Sequence, residues 1–363
     1  MRSRKPTLGA VAAIAGLCLV AACSNSSTKR PSTTSGAASS SSATSAAPKL
    51  RGIDPHPLPQ LTSVKLSVTA PLEILATPYM AKALNEFKTE NLDVTIVNLS
   101  TPDAITQIAS GNVDACTCAV GVPALNAINS GIPLKVVSSL YLDQPGFGLY
   151  VKPALASGAP ASLKGKKIAV TGGFSTIGAL YLTDYLSSAG LTLSDVTAVK
   201  LAPTDYLTAL TSGGADAAFL STPFSAKAIS DGTAKLVYAP KPGGPILGMW
   251  FGDKLLKNQP EVGQALLRAL ARTNQKDLAP GYRNNDAIMT TMATALGGGT
   301  TVSALRAGGG EIVFASKLQM DTWDQQLNDL QNVWIKLGGI LKYNTPLPAS
   351  QVIDTGPLTK AIG

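Results

Sequence analysis

Between residues 62 and 118 the spacing of apolar positions changes repeatedly. Lys65–Val68, Val94–Val97 and Val113–Cys118 read as short strands. Ala76–Phe87 carries helical spacing at Met80, Leu84 and Phe87, and Asp103–Ala109 reads as a helix opened by Thr101 or by Pro102-Asp103. The same order of elements returns 102 residues later: Val64–Ala115 aligns without a gap on Lys166–Ala217, with 16 identities in 52 positions. The identities fall on landmarks. Val68-Thr69 matches Val170-Thr171, Asp93-Val94-Thr95 matches Asp195-Val196-Thr197, Asp103 matches Asp205, and Ser110-Gly111 with Asp114-Ala115 matches Ser212-Gly213 with Asp216-Ala217. Strand–helix–strand alternation predicts parallel sheets with right-handed crossovers, so the pattern predicts an α/β chain of two duplicated lobes.

The chain crosses between the lobes twice. Phe147–Lys152 is a β-like run leading into lobe two, and Lys235–Tyr238 with Pro240–Pro245 is a return connection. From Asp253 onward the spacing is mostly helical, at Val262, Leu266, Leu267 and Leu270, and again at Trp323, Leu327, Leu330, Val333, Trp334 and Leu337. That segment is expected to complete lobe one. Lobe one then comprises residues 62–149 and 242–363, and lobe two residues 150–241. Two crossings make a hinge, with closure over a ligand as its common use.

The first 61 residues follow a different pattern. Arg2, Arg4 and Lys5 precede an apolar, Ala-rich run from Leu8 to Ala22, which reads as a secretory signal covering residues 1–22. Leu19-Val20-Ala21-Ala22-Cys23 resembles a bacterial lipobox, in which Cys23 is lipidated; the alternative is an ordinary small-residue cleavage site beside an incidental cysteine. Ser24–Pro48 is nearly all Ser, Thr, Ala and Gly and reads as a tether, placed with Cys23 in residues 23–61. Removing residues 1–22 leaves 27 basic against 22 acidic residues, a balance of +5 in place of +8. No run of Lys and Arg accompanies it, so nucleic-acid binding is excluded. No later segment approaches ~18 consecutive apolar residues, the length that marks a membrane span.

With 45% hydrophobic and 14% charged residues, the 363-residue chain is not a disordered one. Its single histidine, His56, lies in Pro55-His56-Pro57 ahead of the first strand. That rules out a His-rich zinc site and any Ser/His/Asp or Cys/His set inside the lobes, and no P-loop is present. From this the chain is expected not to be an enzyme and to need no cofactor and no metal. Cys116 and Cys118 share a strand face as two small buried hydrophobes, a strained disulfide or a metal-ligand pair.

Ligands of open parallel sheets sit beyond the carboxyl ends of strands, and duplication supplies such loops twice, facing each other. In lobe one the candidates are Thr69, Pro71, Leu72 and Glu73, then Cys118, Ala119, Val120 and Gly121. In lobe two they are Thr171, Gly172, Gly173, Phe174, Ser175 and Thr176, then Ser221, Thr222 and Phe224. Phe147 and Trp250 complete the set. The two glycines let backbone N–H groups approach a ligand, and Ser175 or Thr176 suits the cap of the next helix, whose start favours an anion; an ordinary Gly-Gly turn has the same sequence. Glu73 is either an acceptor for an amine or ring N–H, or a solvated surface residue. Phe174, Phe224 and Trp250 either stack on an organic ligand or pack in the core.

Ser110–Ala115 through Pro123-Ala124-Leu125 and Ser130-Gly131, then Leu163–Val170 with the Gly-Gly loop, then Asp216-Ala217 to Pro223-Phe224 resemble the substrate-binding lipoproteins of ABC importers for sulfonates, nitrate and thiamine pyrimidine precursors. The resemblance covers residues 62–342. It implies the type II periplasmic-binding-protein fold with lobe one discontinuous in sequence. It also implies a monomeric, lipid-anchored, extracytoplasmic chain that captures a small organic molecule, an anionic or zwitterionic one included. An ABC permease and its ATPase are the implied partners. Where the family often shows a Trp-Glu-Pro-like triplet, this chain has Ser221-Thr222-Pro223. The rival functions are a ligand sensor for a signalling receptor and a pyrimidine-synthesis enzyme like the fungal branch of the family.

Overall fold

The computed structural model describes residues 52–363 except 140, 242–246, 308–309 and 316–322. The signal, Cys23 and the Ser/Thr/Ala-rich stretch lie outside the described residues, as do residues 242–245 of the return connection. The strands are β1 (Thr62–Val68), β2 (Leu92–Asn98), β3 (Ala115–Ala119), β4 (Lys135–Ser139), β5 (Tyr141–Asp143), β6 (Gly148–Val151), β7 (Lys167–Ala169), β8 (Thr197–Val199), β9 (Ala217–Leu220), β10 (Lys235–Tyr238), β11 (Leu247–Phe251) and β12 (Val313–Phe314).

Two five-stranded sheets form, ordered β2-β1-β3-β11-β4 and β10-β6-β9-β7-β8, while β12 pairs with β5. The repeat is visible in them strand for strand. β1 runs parallel to β2 and β3, and β7 runs parallel to β8 and β9. Each repeat is pinned by one carboxylate. Asp114 accepts the backbone N–H of Lys65 at 2.7 Å, and Asp216 accepts that of Lys167 at 3.0 Å. Both carboxylates also take a lysine ammonium, Lys254 for Asp114 and Lys152 for Asp216. The identities in Asp114-Ala115 and Asp216-Ala217 therefore preserve the lock between the first and third strands of each unit.

The expected parallel pairing holds within each repeat, and the sheets as wholes are mixed. β11 enters the first sheet antiparallel to β3 and β4, and β6 enters the second antiparallel to β9 and β10. These are the strands that follow each crossing. Leu247 pairs with Ala119 and Gly148 with Leu220, so each arriving strand begins at the carboxyl end of its neighbour. A chain that crosses at that end has to run back against the parallel strands, and a mixed sheet results.

The helix after β2 spans Thr101–Ala109, two residues longer than the predicted Asp103–Ala109, with Pro102 in its first turn; its N-cap is Ser100, one residue before Thr101, and the Ser100 side chain accepts the N–H of Asp103 at 3.3 Å. The first helix stops at Ala83, short of the predicted Phe87, and the chain passes Asn85 with φ 61°.

The Pro260–Lys276 helix packs on the Ala76–Ala83 helix of lobe one and carries a buried ion network. Arg268 and Arg272 both grip Glu90, Arg272 also grips Glu86, and each of these side chains is less than a tenth exposed. The last long helix, Trp323–Leu337, does not stay with lobe one. Trp323 lies over β11 at Gly248, where an added Cβ would meet the Trp323 ring at 3.3 Å. Further along, the helix packs on Gly178–Ser187 of lobe two. It therefore touches both sheets.

Cys116 and Cys118 are joined by a disulfide within β3, the bridged form among the alternatives open from sequence. His56 is exposed; its backbone N–H donates to Glu90 and its carbonyl accepts from Arg268.

Candidate functional site

A cavity of about 140 Å³ lies where the carboxyl ends of β1 and β3 face those of β7 and β9. Its walls follow the repeat. Thr69 and Thr171, Ile74 and Thr176, Leu75 and Ile177, Thr101 and Pro203, and Ala119 and Ser221 are five pairs of lining residues, each separated by the 102-residue offset. Thus each lobe presents the same loops to a shared space. Across its mouth, Gly121 of lobe one pairs as a β-bridge with Thr176 of lobe two.

Tyr141, Gln144 and Phe147, from the first crossing, close one side. There Phe147 stacks on Phe219 with ring centroids 5.8 Å apart, and Tyr181 packs edge-on against Phe147 at 6.1 Å. Such ring geometries hold an aromatic wall rigidly in place.

The lining contains no Asp, Glu, Lys, Arg or His. Its polar groups are hydroxyls and one amide, and most hydroxyls are already engaged. Thr69 donates to the carbonyl of Thr117 at 3.4 Å and Thr176 to that of Thr171 at 2.9 Å, while the hydroxyls of Thr171 and Tyr206 lie 2.5 Å apart. Burial pushes the Tyr206 phenol up to about 12, against the pull of Thr171, so it stays protonated at physiological pH. The Tyr141 hydroxyl is raised well above the usual tyrosine range, by burial first and then by Tyr181 and the nearby Asp143. It is buried and has no hydrogen-bond partner among the described residues.

Of the candidates from sequence, Thr69, Leu72, Ala119, Phe147, Thr171, Thr176 and Ser221 line this cavity. The others lie off it, for identifiable reasons. Glu73 is neither a cleft acceptor nor a surface residue. Fully buried, it takes Arg283 through two bonds, at 2.9 and 2.7 Å, and the Tyr282 hydroxyl at 2.7 Å. Cys118 is buried in the disulfide and Val120 in the core. Trp250 is fully buried and donates its indole N–H to the Cys118 carbonyl. Gly172 and Gly173 serve the turn, both at φ above +60°. The Ser175 hydroxyl turns back onto the Gly172 carbonyl. Phe174 packs against the core and Phe224 against the clusters of both lobes. Thr222 is buried, Pro71 is half-buried off the cavity, and Gly121 lies at the mouth.

Sequence reasoning missed Ala70, Ile74, Leu75, Thr101, Tyr141, Gln144, Val170, Ile177, Gly178, Pro203, Tyr206, Phe219 and Leu247. The signal for some was available. Applying the repeat offset to Thr176 yields Ile74.

Residues 75–279 match the profile of the family described as NMT1/THI5 like. The 4-amino-5-hydroxymethyl-2-methylpyrimidine phosphate synthase of Candida albicans is 36% identical over 124 residues, covering 34% of this chain and 35% of that protein. The synthase of the same name from Aspergillus parasiticus is 36% identical over 132 residues, covering 34% and 37%. The chain thus spans about a third of the length of the curated relatives it matches.

Solved structures share the fold over most of their length. The alkanesulfonate-binding protein SsuA of Xanthomonas axonopodis pv. citri, bound to MOPS, has a TM-score of 0.63 at 17% identity, covering 81% of this chain and 99% of that one. The periplasmic nitrate-binding protein NrtA of Synechocystis has a TM-score of 0.66 at 14% identity, covering 83% and 88%. The desulfurization enzyme DSZB has a TM-score of 0.55 at 16% identity, covering 82% and 98%. The expectation that the chain is not an enzyme does not survive these matches. Its curated relatives are named as synthases, and an enzyme shares its fold. A lone histidine outside the lobes was too narrow a ground for that conclusion.

Proposed function

The chain belongs to the NMT1/THI5-like family, and on that premise we propose that it is an extracytoplasmic solute-binding lipoprotein of an ABC importer. It takes a small organic molecule into the cavity between its lobes and delivers it to a membrane permease. The observation that carries this reading is a single cavity walled by equivalent loops of both repeats, with Gly121 and Thr176 paired across its mouth. A ligand touching both walls favours the closed arrangement over an open one, and a permease can sense that difference. The two crossings read from the sequence, Phe147–Lys152 and the return after Lys235–Tyr238, serve as the hinge.

Location and partners are part of the same proposal. The Leu19–Cys23 motif supplies the anchor, and the Ser/Thr/Ala-rich stretch supplies reach from the membrane. Cys23→Ser is expected to move the chain from the membrane fraction to the soluble one.

The test is uptake. Deleting the chain in its host should abolish import of one solute, and the purified full chain should bind that solute in calorimetry with one site. Wild-type uptake of every solute in the deletion strain would sink the importer reading. The match to fungal synthases favours one rival outcome, in which the chain converts a bound pyrimidine precursor to product under conditions where uptake is unchanged.

A further inference from the structure

Resting on the reading of the cavity as a ligand site, we propose that its ligand is an uncharged, largely apolar ring compound whose one essential hydrogen bond is made to the hydroxyl of Tyr141.

Charge is the first argument. A buried anion or cation needs a counter-charge or several aimed donors, and burying it without them is costly. No ionisable side chain other than the two tyrosines lines this cavity. The carboxylate that sequence placed here, Glu73, is turned away and neutralised by Arg283. Lys200 packs its methylenes against Gly173 outside the lining and is exposed. Asp143, beside Tyr141, contributes negative potential, which disfavours an anion further.

The walls supply the second argument. Leu72, Ile74, Leu75, Val170, Ile177 and Phe219 are each buried, and Phe147 stacks on Phe219. Apolar burial against such a surface is the main favourable term for a ring compound.

Tyr141 supplies the third. A buried hydroxyl without a partner is uncommon and costs free energy as long as it stays unpaired. Tyr141 is 6% exposed, lines the cavity, and has no partner among the described residues. The hydroxyls of Thr69, Thr171, Thr176 and Tyr206 are already engaged. The Tyr141 hydroxyl oxygen is itself buried, so it reaches a carbonyl, sulfonyl or ring-nitrogen acceptor on the ligand through a small side-chain shift, and binding then removes a defect of the free protein.

The probe pair is benzenesulfonamide and benzenesulfonate, which share body and oxygen acceptors but differ in charge at pH 7. Each is titrated into the full chain by calorimetry or ligand-observed NMR, for the native sequence, Tyr141→Phe and Thr171→Trp. The neutral probe is expected to bind at least tenfold more tightly than the anion. Thr171→Trp, which fills the cavity, is expected to abolish that binding. Tyr141→Phe is expected to weaken the neutral probe by about three- to tenfold, the range of one hydrogen bond. Its melting temperature without ligand should be unchanged or higher, a result that a merely structural tyrosine would not give. If the anion binds as tightly as the amide and Thr171→Trp blocks both, the proposed ligand class is wrong while the cavity remains a ligand site. Tyr141→Phe binding as tightly as the native chain removes the essential hydrogen bond. If neither probe binds the native chain, the proposed ligand class is wrong, while the reading of the cavity as a ligand site stands or falls separately on the uptake and calorimetry test above.

Discussion

The indole N–H of Trp334 donates to the carbonyl oxygen of Phe174 at 2.6 Å, joining the last long helix to the Gly-Gly loop of lobe two. Phe174 itself does not reach the cavity, but its loop neighbours Thr171 and Thr176 do. Trp334 is fully buried and Phe174 half-buried, so the bond lies at the margin of the core.

Trp334→Phe is expected to leave that carbonyl unpaired and to destabilise the fold by about 1–3 kcal/mol. Ligand affinity should fall as well, because the loop loses its external support. Thermal melts read the first effect and titration with the bound solute the second; a stable variant with native affinity would show that the bond holds nothing.

Gly121 has φ −158°, a conformation open to any residue. What it lacks is room, since an added Cβ would lie 3.0 Å from the Ser175 carbonyl oxygen across the mouth. Gly121→Val is therefore expected to prop the lobes apart, weakening ligand at least tenfold with little change in melting temperature. Small-angle scattering should show a larger radius of gyration. An unchanged radius with native affinity would mean that the mouth does not need to close.

Glu73 and Arg283 form a buried pair, with Glu73 fully buried and the Arg283 side chain 10% exposed. Removing one partner leaves the other charge buried, at a typical cost of about 3–5 kcal/mol. Glu73→Gln should thus lower the melting temperature clearly. At temperatures where the variant is folded, its ligand affinity should be close to native, because Glu73 does not line the cavity. The opposite pattern, normal stability with lost binding, would return Glu73 to the site.

The ion network makes acid stability predictable. Burial works to raise the Glu86 carboxyl, and hydrogen bonds from Arg272 and Lys276 outweigh it, leaving the group below its usual range. A value depressed in the folded state stabilises the fold above the unfolded pKa, and that contribution is lost as pH falls through the folded one. Between about pH 5 and pH 3, Glu86→Gln should flatten the fall in melting temperature that the native chain shows. Affinity for an uncharged ligand, in contrast, should stay level from about pH 5 to pH 9, because Tyr206 is held near 12, Tyr141 is raised well above its usual range, and no other lining side chain titrates.

Much of the architecture was legible because duplication doubles the signal. A strand such as β7, three residues long, is weak alone, but its match to β1 makes it a strand at the right place. Outside the repeat the strands were found unevenly: β6 and β10 show as apolar runs of their own, while β4, β5, β11 and β12 were overlooked. Trp250 was weighed as a stacking residue or core, and only the position of β11 between β3 and β4 decides for core. Within the site, backbone loops were found more readily than side-chain directions. Glu73 stands at the same offset as Ser175, yet its orientation is set by Arg283, 210 residues away in sequence. Tyr141 sits on a crossing segment whose partners come from β12 and lobe two, which no local pattern reveals.

The placement of β11 also bears on how the molecule acquires its shape. The first sheet needs Leu247–Phe251 between β3 and β4, so roughly the first two hundred and fifty residues can be made before that sheet can close. Contacts so distant along the chain form slowly. The second sheet, whose five strands all lie between Gly148 and Tyr238, has no such wait, so the lobe that begins later in the chain is the one able to close first.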